Sequence, residues 1–233
     1  MTLDNAVVFV TGANRGIGLA FAQAALARGA RKVYAASRDP AKVTLAGVEP
    51  IRLDVTDDAA VAAAAARCGD VTVLVNNAGI AKFGGALGDD PVASLQAQFD
   101  VNVLGILRMA RAFAPVLARN GGGAMLNVLS VASWINRGTL GLYGTTKSAA
   151  WGLTNSLRHE LRPQGTQVLA LHVGFVDTDL TRDIDAPKSS AAVVVGRALD
   201  ALEAGQEEVL ADEISQQVKR GLSADAPVYL AAA

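Results

Sequence analysis

The chain has 233 residues, of which 51% are hydrophobic and 18% are charged. A chain of this length buries about 70% of its extended surface on folding, and its composition excludes intrinsic disorder. The 21 Lys and Arg residues nearly balance 22 Asp and Glu residues, giving a formal net charge of -1, which argues against a nucleic-acid partner. The only cysteine, Cys68, excludes an internal disulfide, and the only histidines, His159 and His172, have no cluster of ligands beside them, so no metal site is expected.

The sequence carries no segment typical of export or of membrane insertion. No unbroken apolar run approaches the roughly 20 residues that a membrane span needs. The residues before the apolar run at 6–11 include an acid, Asp4, and no basic residue, unlike the start of a signal peptide. We therefore expect a cytoplasmic protein that has no membrane partner.

Short β-branched runs alternate with longer alanine-rich and leucine-rich stretches along the chain. In chain order the expected elements are a strand at 6–11, a helix at 17–28, strands at 31–37 and 50–54, a helix at 57–68, a strand at 71–76, a long helix at 91–119, a strand at 124–130, a helix at 142–162, a strand at 166–173, a helix at 191–203 and a short strand at 208–211. We expect Thr56 or Asp57 to cap the second helix and Ser189 or Ser190 to cap the last one. Gly105 is expected to break the long helix.

Most of the expected strands are near-continuous apolar runs, as is typical of strands that are covered on both faces. The alternation of strand and helix indicates right-handed crossovers between parallel strands. The sequence therefore predicts the α/β class, as a single domain at 1–233 with a doubly wound, Rossmann-type parallel β-sheet flanked by helices. Ligands of such sheets bind beyond the carboxyl ends of the strands. Functional residues are accordingly expected just after Thr11, Ser37, Asn76, Ser130 and Val173.

The first expected strand leads into a glycine-rich turn, residues 11–18, which opens the first helix. Its glycines, Gly12, Gly16 and Gly18, permit a tight turn and leave no Cβ between the backbone and a bound pyrophosphate. The free N–H groups at the start of a helix also favour phosphates. A turn without a ligand is the plainer alternative, but the strand–turn–helix context favours a dinucleotide site.

The charges near the end of the second strand indicate which dinucleotide is bound. An acid about 20 residues beyond the glycines would bind the ribose 2′-hydroxyl of NAD, whereas an arginine accommodates the 2′-phosphate of NADP. Ser37 and Arg38 occupy this region, and although Asp39 is adjacent, the strand end itself carries no acid. Arg15 in the glycine turn can reach the same phosphate. These residues favour NADP(H), the alternative being that both arginines are merely solvated.

Four polar residues, Asn102, Ser130, Tyr143 and Lys147, could converge at one strand end. Tyr143 and Lys147 are four residues apart on an expected helix, so they share a face. A free tyrosine is a poor acid at neutral pH, but a nearby ammonium stabilises the phenolate and lowers its pKa. A serine hydroxyl can polarise a substrate carbonyl by a hydrogen bond. The Tyr–Lys pair alone is also compatible with an ordinary helix surface, so it is the set that indicates catalysis.

Taken together, these motifs resemble one family closely, the classical short-chain dehydrogenases/reductases. The motifs that carry the resemblance are TGANRGIG at 11–18, Asp54-Val55, NNAG at 76–79, NVLG at 102–105, Ser130, YGTTK at 143–147 and GFVDT at 174–178. They follow the family's order over residues 5 to 180, about three quarters of the chain.

The resemblance implies roles for the four polar residues. Tyr143 would be the general acid–base, and Lys147 would hold the nicotinamide ribose and lower the pKa of Tyr143. Ser130 would orient the substrate carbonyl, and Asn102 would hold a water that relays protons to solvent. Ser133 is a second serine nearby, but the spacing to Tyr143 favours Ser130.

The resemblance also implies a set of cofactor contacts. Asp54 and Val55 would flank the adenine, while Val176 and Thr178 would hold the carboxamide. The full expected cofactor-binding set is Gly12, Asn14, Arg15, Gly16, Ile17, Gly18, Ser37, Arg38, Asp54, Val55, Asn76, Ala78, Gly79, Tyr143, Lys147, Val176 and Thr178. Residues 1–120 would then form mainly the cofactor half, and 121–233 the catalytic and substrate half.

Two features depart from the family's pattern. Val173 stands before Gly174 where relatives usually have proline, and residues 179–188 are shorter than the usual substrate lid. We therefore expect an open, permissive substrate site. Candidate lining residues, each also plausible in the core, are Ile80, Phe83, Trp134, Ile135, Leu140 and Phe175.

The resemblance favours an enzyme, an NADP(H)-dependent carbonyl reductase that works reversibly as an alcohol dehydrogenase on a small-molecule substrate. The alternative is a non-catalytic NADP-binding redox sensor, which would need the glycine turn but not the acid–base residues. A sugar-nucleotide epimerase is a further rival, but little chain remains after residue 180 for its extra substrate domain. A homodimer or homotetramer, built on the two long helices, is implied by the resemblance alone.

Overall fold

The computed structural model describes residues 1–136 and 138–230. Within them the chain forms one sheet of seven parallel strands in the order β3-β2-β1-β4-β5-β6-β7. The strands are β1 (Val7–Thr11), β2 (Lys32–Ser37), β3 (Glu49–Arg52), β4 (Val73–Asn76), β5 (Ala124–Val128), β6 (Gln167–His172) and β7 (Glu208–Leu210). The α-helices are α1 (Gly16–Ala27), α2 (Asp58–Arg67), α3 (Pro91–Phe99), α4 (Gly105–Arg119), α5 (Gly141–Leu161), α6 (Ala191–Glu203) and α7 (Glu213–Gly221). The predicted doubly wound α/β class is confirmed.

Side chains from alternate positions of each central strand enter two separate cores. In β1, Val8 and Val10 pack with α1 and α6, whereas Val7 and Phe9 pack with α2, α4 and α5 on the opposite face. All four side chains are buried, which explains why these strands read as continuous apolar runs.

The predicted elements are all present, with ends that shift by a few residues. Asp57 caps α2 by accepting from Ala59 and Ala60 N–H groups, and Ser190 caps α6. The long helix expected at 91–119 with a break at Gly105 is divided directly before that residue, where a π-helical segment, Asp100–Leu104, separates α3 from α4. Gly105 begins α4, where a Cβ would lie 2.9 Å from the Val55 Cγ2. Helix α7 was not predicted.

The stretch Pro91–Arg119 is long and apolar enough to cross a membrane by length and composition, although the sequence analysis expected no such segment. In the fold, 50% of its most apolar window is buried. Met109, Phe113 and Leu117 from this stretch lie in the core against the sheet. Its apolar character is therefore accounted for by packing within the domain.

A chain of buried amides joins the centre of the sheet to α5. The Asn76 Nδ2 donates to the Asn127 Oδ1 at 2.8 Å, and the Asn127 Nδ2 donates to the Thr154 Oγ1 at 3.0 Å. Asn127 and Thr154 are fully buried. Since a buried polar group that loses its partner is costly, these bonds fix the position of α5 over β4 and β5.

Replacing Thr154 by valine tests this link, because the variant keeps the shape and leaves the Asn127 amide without its acceptor. We expect Thr154→Val to lower the free energy of unfolding by about 1–3 kcal/mol in a denaturant titration. The control is Thr145→Val on the exposed side of the same helix, expected to change it by less than about 0.5 kcal/mol. Equal losses in the two variants would show that the buried amide chain does not hold α5.

Candidate functional site

A cavity of about 770 Å³ opens at the carboxyl ends of the strands. One side is formed by the glycine turn and the ends of β2 and β3, the other by the segments that follow β5 and β6. Such a position is expected for a doubly wound sheet, since its strands all end at this edge. The size is that of an ordinary ligand site.

The glycine turn is packed too closely for a side chain at its last glycine, Gly18. A Cβ on Gly18 would lie 2.2 Å from the Gly12 carbonyl oxygen and 2.5 Å from the Asn77 Nδ2. The Thr11 hydroxyl fixes the neighbouring segment by accepting from the Asn77 and Ala78 N–H groups at 2.9 and 3.0 Å. No side chain of the described residues caps α1, so the first N–H groups of this helix are free to bind a phosphate at the cavity wall.

Two arginines line the end of the cavity that the glycine turn and β2 form, and they differ in their partners. Arg15 pairs with Asp179 at 3.2 Å, which joins the glycine turn to the loop after β6. Arg38 is exposed, and within the described part of the chain no carboxylate lies at ion-pair distance from it. The Ser37 hydroxyl donates to the Asp39 backbone carbonyl at 2.7 Å, which shapes the turn that presents Arg38. An unpaired guanidinium of this kind can bind an added phosphate.

Ser130, Tyr143 and Lys147 meet at the floor of the cavity. Ser130 follows β5, while Tyr143 and Lys147 lie one turn apart on α5. The Lys147 Nζ donates to the Val128 backbone carbonyl at 2.8 Å and lies 5.7 Å from the centre of the Tyr143 ring. Ser133, the other candidate serine, is buried outside the cavity wall.

Burial dominates the protonation of this group. It raises the pKa of Tyr143 to about 12, while a side-chain hydrogen bond with Ser130 acts in the opposite direction. Burial also lowers the pKa of Lys147 to about 8, because the charged ammonium is poorly solvated there. The structure thus differs from the expectation that Lys147 lowers the pKa of Tyr143. Lys147 is directed at a carbonyl, and its own charge is disfavoured.

Asn102 lies behind the cavity wall rather than on it. Its Oδ1 accepts from the Ile80 N–H at 2.9 Å, and its Nδ2 donates to the Ile80 carbonyl at 2.9 Å and the Thr146 hydroxyl at 3.0 Å. The π-helical segment Asp100–Leu104 carries this residue. Asn102 therefore ties the loop after β4 to α5, next to Lys147.

The structure brings most of the predicted site residues to the cavity. Those on its wall are Gly12, Asn14, Arg15, Gly16, Ile17, Ser37, Arg38, Asp54, Val55, Ala78, Gly79, Ser130, Tyr143, Lys147, Val176 and Thr178. Gly18, Asn76 and Asn102 lie behind the wall, and Asn77 rather than Asn76 faces the cavity. Within residues 1–136 and 138–230, no group of three His, Cys, Asp or Glu side chains is placed to hold a metal ion.

Trp134, expected to line the substrate pocket, instead belongs to a buried cluster beneath the site. Its ring stacks on His172 with centroids 3.9 Å apart, and the Lys219 Nζ lies 4.9 Å from its centre. The His172 Nδ1 is 3.2 Å from the Ser130 backbone carbonyl, so this cluster supports the serine's main chain. Burial lowers the pKa of His172 to about 4, so the ring is neutral.

The C-terminal part of the chain supplies an unpredicted wall of the cavity. Asp212, the cap of α7, accepts from the Gly174 N–H at 2.6 Å and the Ser215 N–H at 2.9 Å. Ile214 lies so close that a Cβ on Gly174 would be 2.5 Å from its Cγ2. The Val173–Gly174 departure from the family's pattern therefore belongs to a loop that packs on α7. No local motif marks Asp212 or Ile214, since only the tertiary fold brings them to the site.

Comparison with known proteins places this chain in a family. The family model described as short chain dehydrogenase matches residues 6–189. Galactitol 2-dehydrogenase of Agrobacterium fabrum is 38% identical over 197 residues, which cover 80% of this chain and 76% of the relative. The structure is similar to a short chain dehydrogenase of Burkholderia cenocepacia in complex with NADP, with a TM-score of 0.93, 38% identity and coverage of 97% and 95% of the two chains. The structure is also similar to a short chain dehydrogenase/reductase of Burkholderia phymatum in complex with NAD, with a TM-score of 0.83 and 26% identity. The match covers 95% of this chain and 94% of that one.

The chain belongs to the short-chain dehydrogenase family of oxidoreductases. The residues present fit a nicotinamide dinucleotide, because the uncapped start of α1 and the Ser130–Tyr143–Lys147 group line the same cavity.

The two histidines of the chain allow a test of the buried cluster. Because the pKa of His172 is lowered from 6.5 to about 4, the unfolded chain binds more protons than the folded chain between these two pH values. The free energy of unfolding therefore decreases as the pH is lowered through this range. Between pH 7 and pH 5 we expect the wild type to lose about 2 kcal/mol more unfolding free energy than His172→Gln. His159→Gln, at an exposed position, should follow the wild-type curve. Parallel curves for wild type and His172→Gln would contradict a neutral buried ring.

Proposed function

We propose that this protein is an NADP(H)-dependent oxidoreductase that reduces a ketone or aldehyde to an alcohol, and works reversibly as an alcohol dehydrogenase. The observation that carries the proposal is the meeting of Ser130, Tyr143 and Lys147 in the cavity that the glycine turn also lines. The relative that acts on galactitol and the neighbour that contains NADP support it. Residues 1–120 serve mainly the cofactor, and 121–233 supply the acid–base group and the substrate wall.

Three side chains, Ser130, Tyr143 and Lys147, carry out the acid–base chemistry. A nicotinamide cofactor bound in this cavity would supply the hydride for the carbonyl carbon. Tyr143 donates its phenolic proton to the carbonyl oxygen, and its raised pKa keeps that proton in place at neutral pH. Ser130 donates a hydrogen bond to the same oxygen. Lys147 binds the cofactor ribose, and its lowered pKa suits it to pass a proton toward Tyr143.

Further proposals concern the rest of the cofactor set. Asp54 and Val55 flank the adenine, and Val176 and Thr178 hold the carboxamide, which fixes the nicotinamide face. Asn102 positions the Ile80 backbone and serves the proton relay from Lys147 to solvent. Arg38 reads the 2′-phosphate, since its guanidinium forms no ion pair within the described residues. The pKa of Asp54 at the same end of the cavity is lowered first by the backbone hydrogen bond from Thr56, and the charge of Arg38 contributes to the shift.

We also propose that the protein is cytoplasmic, takes a small-molecule carbonyl or alcohol, and assembles as a homodimer or homotetramer. The long helices α4 and α5 would supply the subunit interface. Size-exclusion chromatography with light scattering tests the assembly, and a monomer at micromolar concentration would contradict it.

Tyr143→Phe tests the acid role, because it removes the proton and keeps the ring. We expect the fall in 340 nm absorbance with NADPH and a ketone to slow by at least roughly a hundredfold. The dissociation constant for NADPH should change less than about twofold, since the ring still packs. Tyr229→Phe, at an exposed position near the end of the described chain, serves as control. Turnover retained in Tyr143→Phe would overturn the acid assignment.

Arg38→Asp tests how the phosphate is read. The variant replaces a phosphate partner by a like charge, so the ratio of kcat/KM for NADPH to that for NADH should fall by roughly 10- to 100-fold. Arg31→Asp makes the same charge change at an exposed position at the other end of β2 and should leave the ratio unchanged. If both variants keep the wild-type ratio, Arg38 does not bind the 2′-phosphate.

A further inference from the structure

The part of the cavity next to Tyr143 is walled by apolar side chains from four separate segments. Phe83 follows β4, Leu140 precedes α5, Phe175 follows β6 and Ile214 lies on α7. The Gly84 N–H donates to the Thr139 carbonyl at 2.7 Å, which holds the Phe83 segment against the Leu140 segment. All four side chains therefore line the cavity that also holds Tyr143, and the close approach of Ile214 to Gly174 joins the other two segments.

The apolar side chains at the cavity's edge are unusually exposed. Phe83 is 54% exposed, Leu180 47% and Ile214 46%. When an apolar ligand covers large apolar side chains that are in contact with water, the free energy of the system decreases, because apolar surface is removed from water. Because all three side chains line the same cavity, an apolar ligand bound there would cover them.

The polar side chains beside this wall are already bonded within the protein. Asp212 accepts backbone N–H groups on both carboxylate oxygens, and Asp179 pairs with Arg15 and with Arg182. The Thr181 hydroxyl donates to the Val176 carbonyl. These three side chains therefore offer a substrate hydroxyl few free partners, and Asp212 would repel an anion.

We infer that the substrate is an apolar ketone or its secondary alcohol, with an alkyl or aryl group seated against Phe175 and Ile214, rather than a polyol or sugar. The inference rests on the proposed reductase function and names the substrate class for that site. A polyhydroxy substrate would place its hydroxyls against carbon, where each unpaired hydroxyl weakens binding. This chain would then differ in substrate class from its galactitol-oxidising relative.

The test measures NADPH-dependent reduction of the 2-alkanones from butanone to 2-octanone and of 1,3,4-trihydroxybutan-2-one. We expect kcat/KM to rise by about threefold for each added methylene, and 2-octanone to exceed the trihydroxy ketone by roughly a hundredfold. A flat series, or a trihydroxy ketone that reacts as well as 2-octanone, overturns the apolar class while leaving the reductase function intact.

A matched pair of variants locates the alkyl group. Ile214→Asn should reduce the ratio of kcat/KM for 2-octanone to kcat/KM for butanone by about fivefold or more, because it puts a polar amide where the alkyl group of the substrate would lie. Val193→Asn replaces a residue that is 49% exposed on α6 and outside the cavity, and should keep the wild-type ratio. An unchanged ratio in Ile214→Asn overturns the placement on this wall.

Calorimetric titration of alcohols into the protein with NADPH present separates this inference from the proposed function, because the reduced cofactor cannot accept a hydride from an alcohol and only binding heat is measured. We expect 2-octanol to bind and erythritol not to bind. Binding of 2-octanol without reduction of any ketone would support the apolar site and overturn the reductase function. Binding of erythritol, or no binding of 2-octanol, would overturn the inference.

Discussion

All seven strands in the described chain run in one direction, and the site depends on this constraint. Because parallel strands end at one edge, the turn after β1, the arginine after β2 and the loops after β4, β5 and β6 meet around a single cavity. The crossover helices lie on both faces of the sheet, and α5 begins at this same edge, so its first turns hold Tyr143 and Lys147 at the cavity. The proposed cofactor site and the proposed acid–base site are thus neighbours although the glycine turn and α5 are far apart in sequence.

The precision of the site comes from polar groups that burial makes costly to disrupt. Asn127 and Thr154 lock α5 to the sheet, and the Lys147 Nζ is held by the Val128 carbonyl. Beneath Ser130, the stacked rings of Trp134 and His172 support its main chain. The same burial raises the pKa of Tyr143 and lowers that of Lys147, so packing and reactivity share one cause.

The sequence predicted most of the fold and most of the cavity wall, because apolar runs and glycine turns are local signals of strands and phosphate sites. It did not predict α7, whose Asp212 and Ile214 reach the cavity only through tertiary packing. Trp134 was expected in the pocket because it lies near Ser130 in sequence, yet an apolar ring in a short segment can turn either way, and here it stacks on His172. Likewise Asn76 and Asn102 are near the cofactor motifs, but their amides bond to protein groups behind the wall. The assigned catalytic and cofactor roles remain predictions.

The most direct test follows a label from the cofactor into the product. NADPH deuterated at C4 on one face, and separately on the other, is supplied with a methyl ketone, and the alcohol is analysed by mass spectrometry. We predict one deuterium on the carbinol carbon from only one of the two cofactors, since the proposed contacts of Val176 and Thr178 with the carboxamide would turn a single nicotinamide face toward Tyr143. An alcohol without deuterium from either cofactor, or label from both, would contradict hydride transfer at this site.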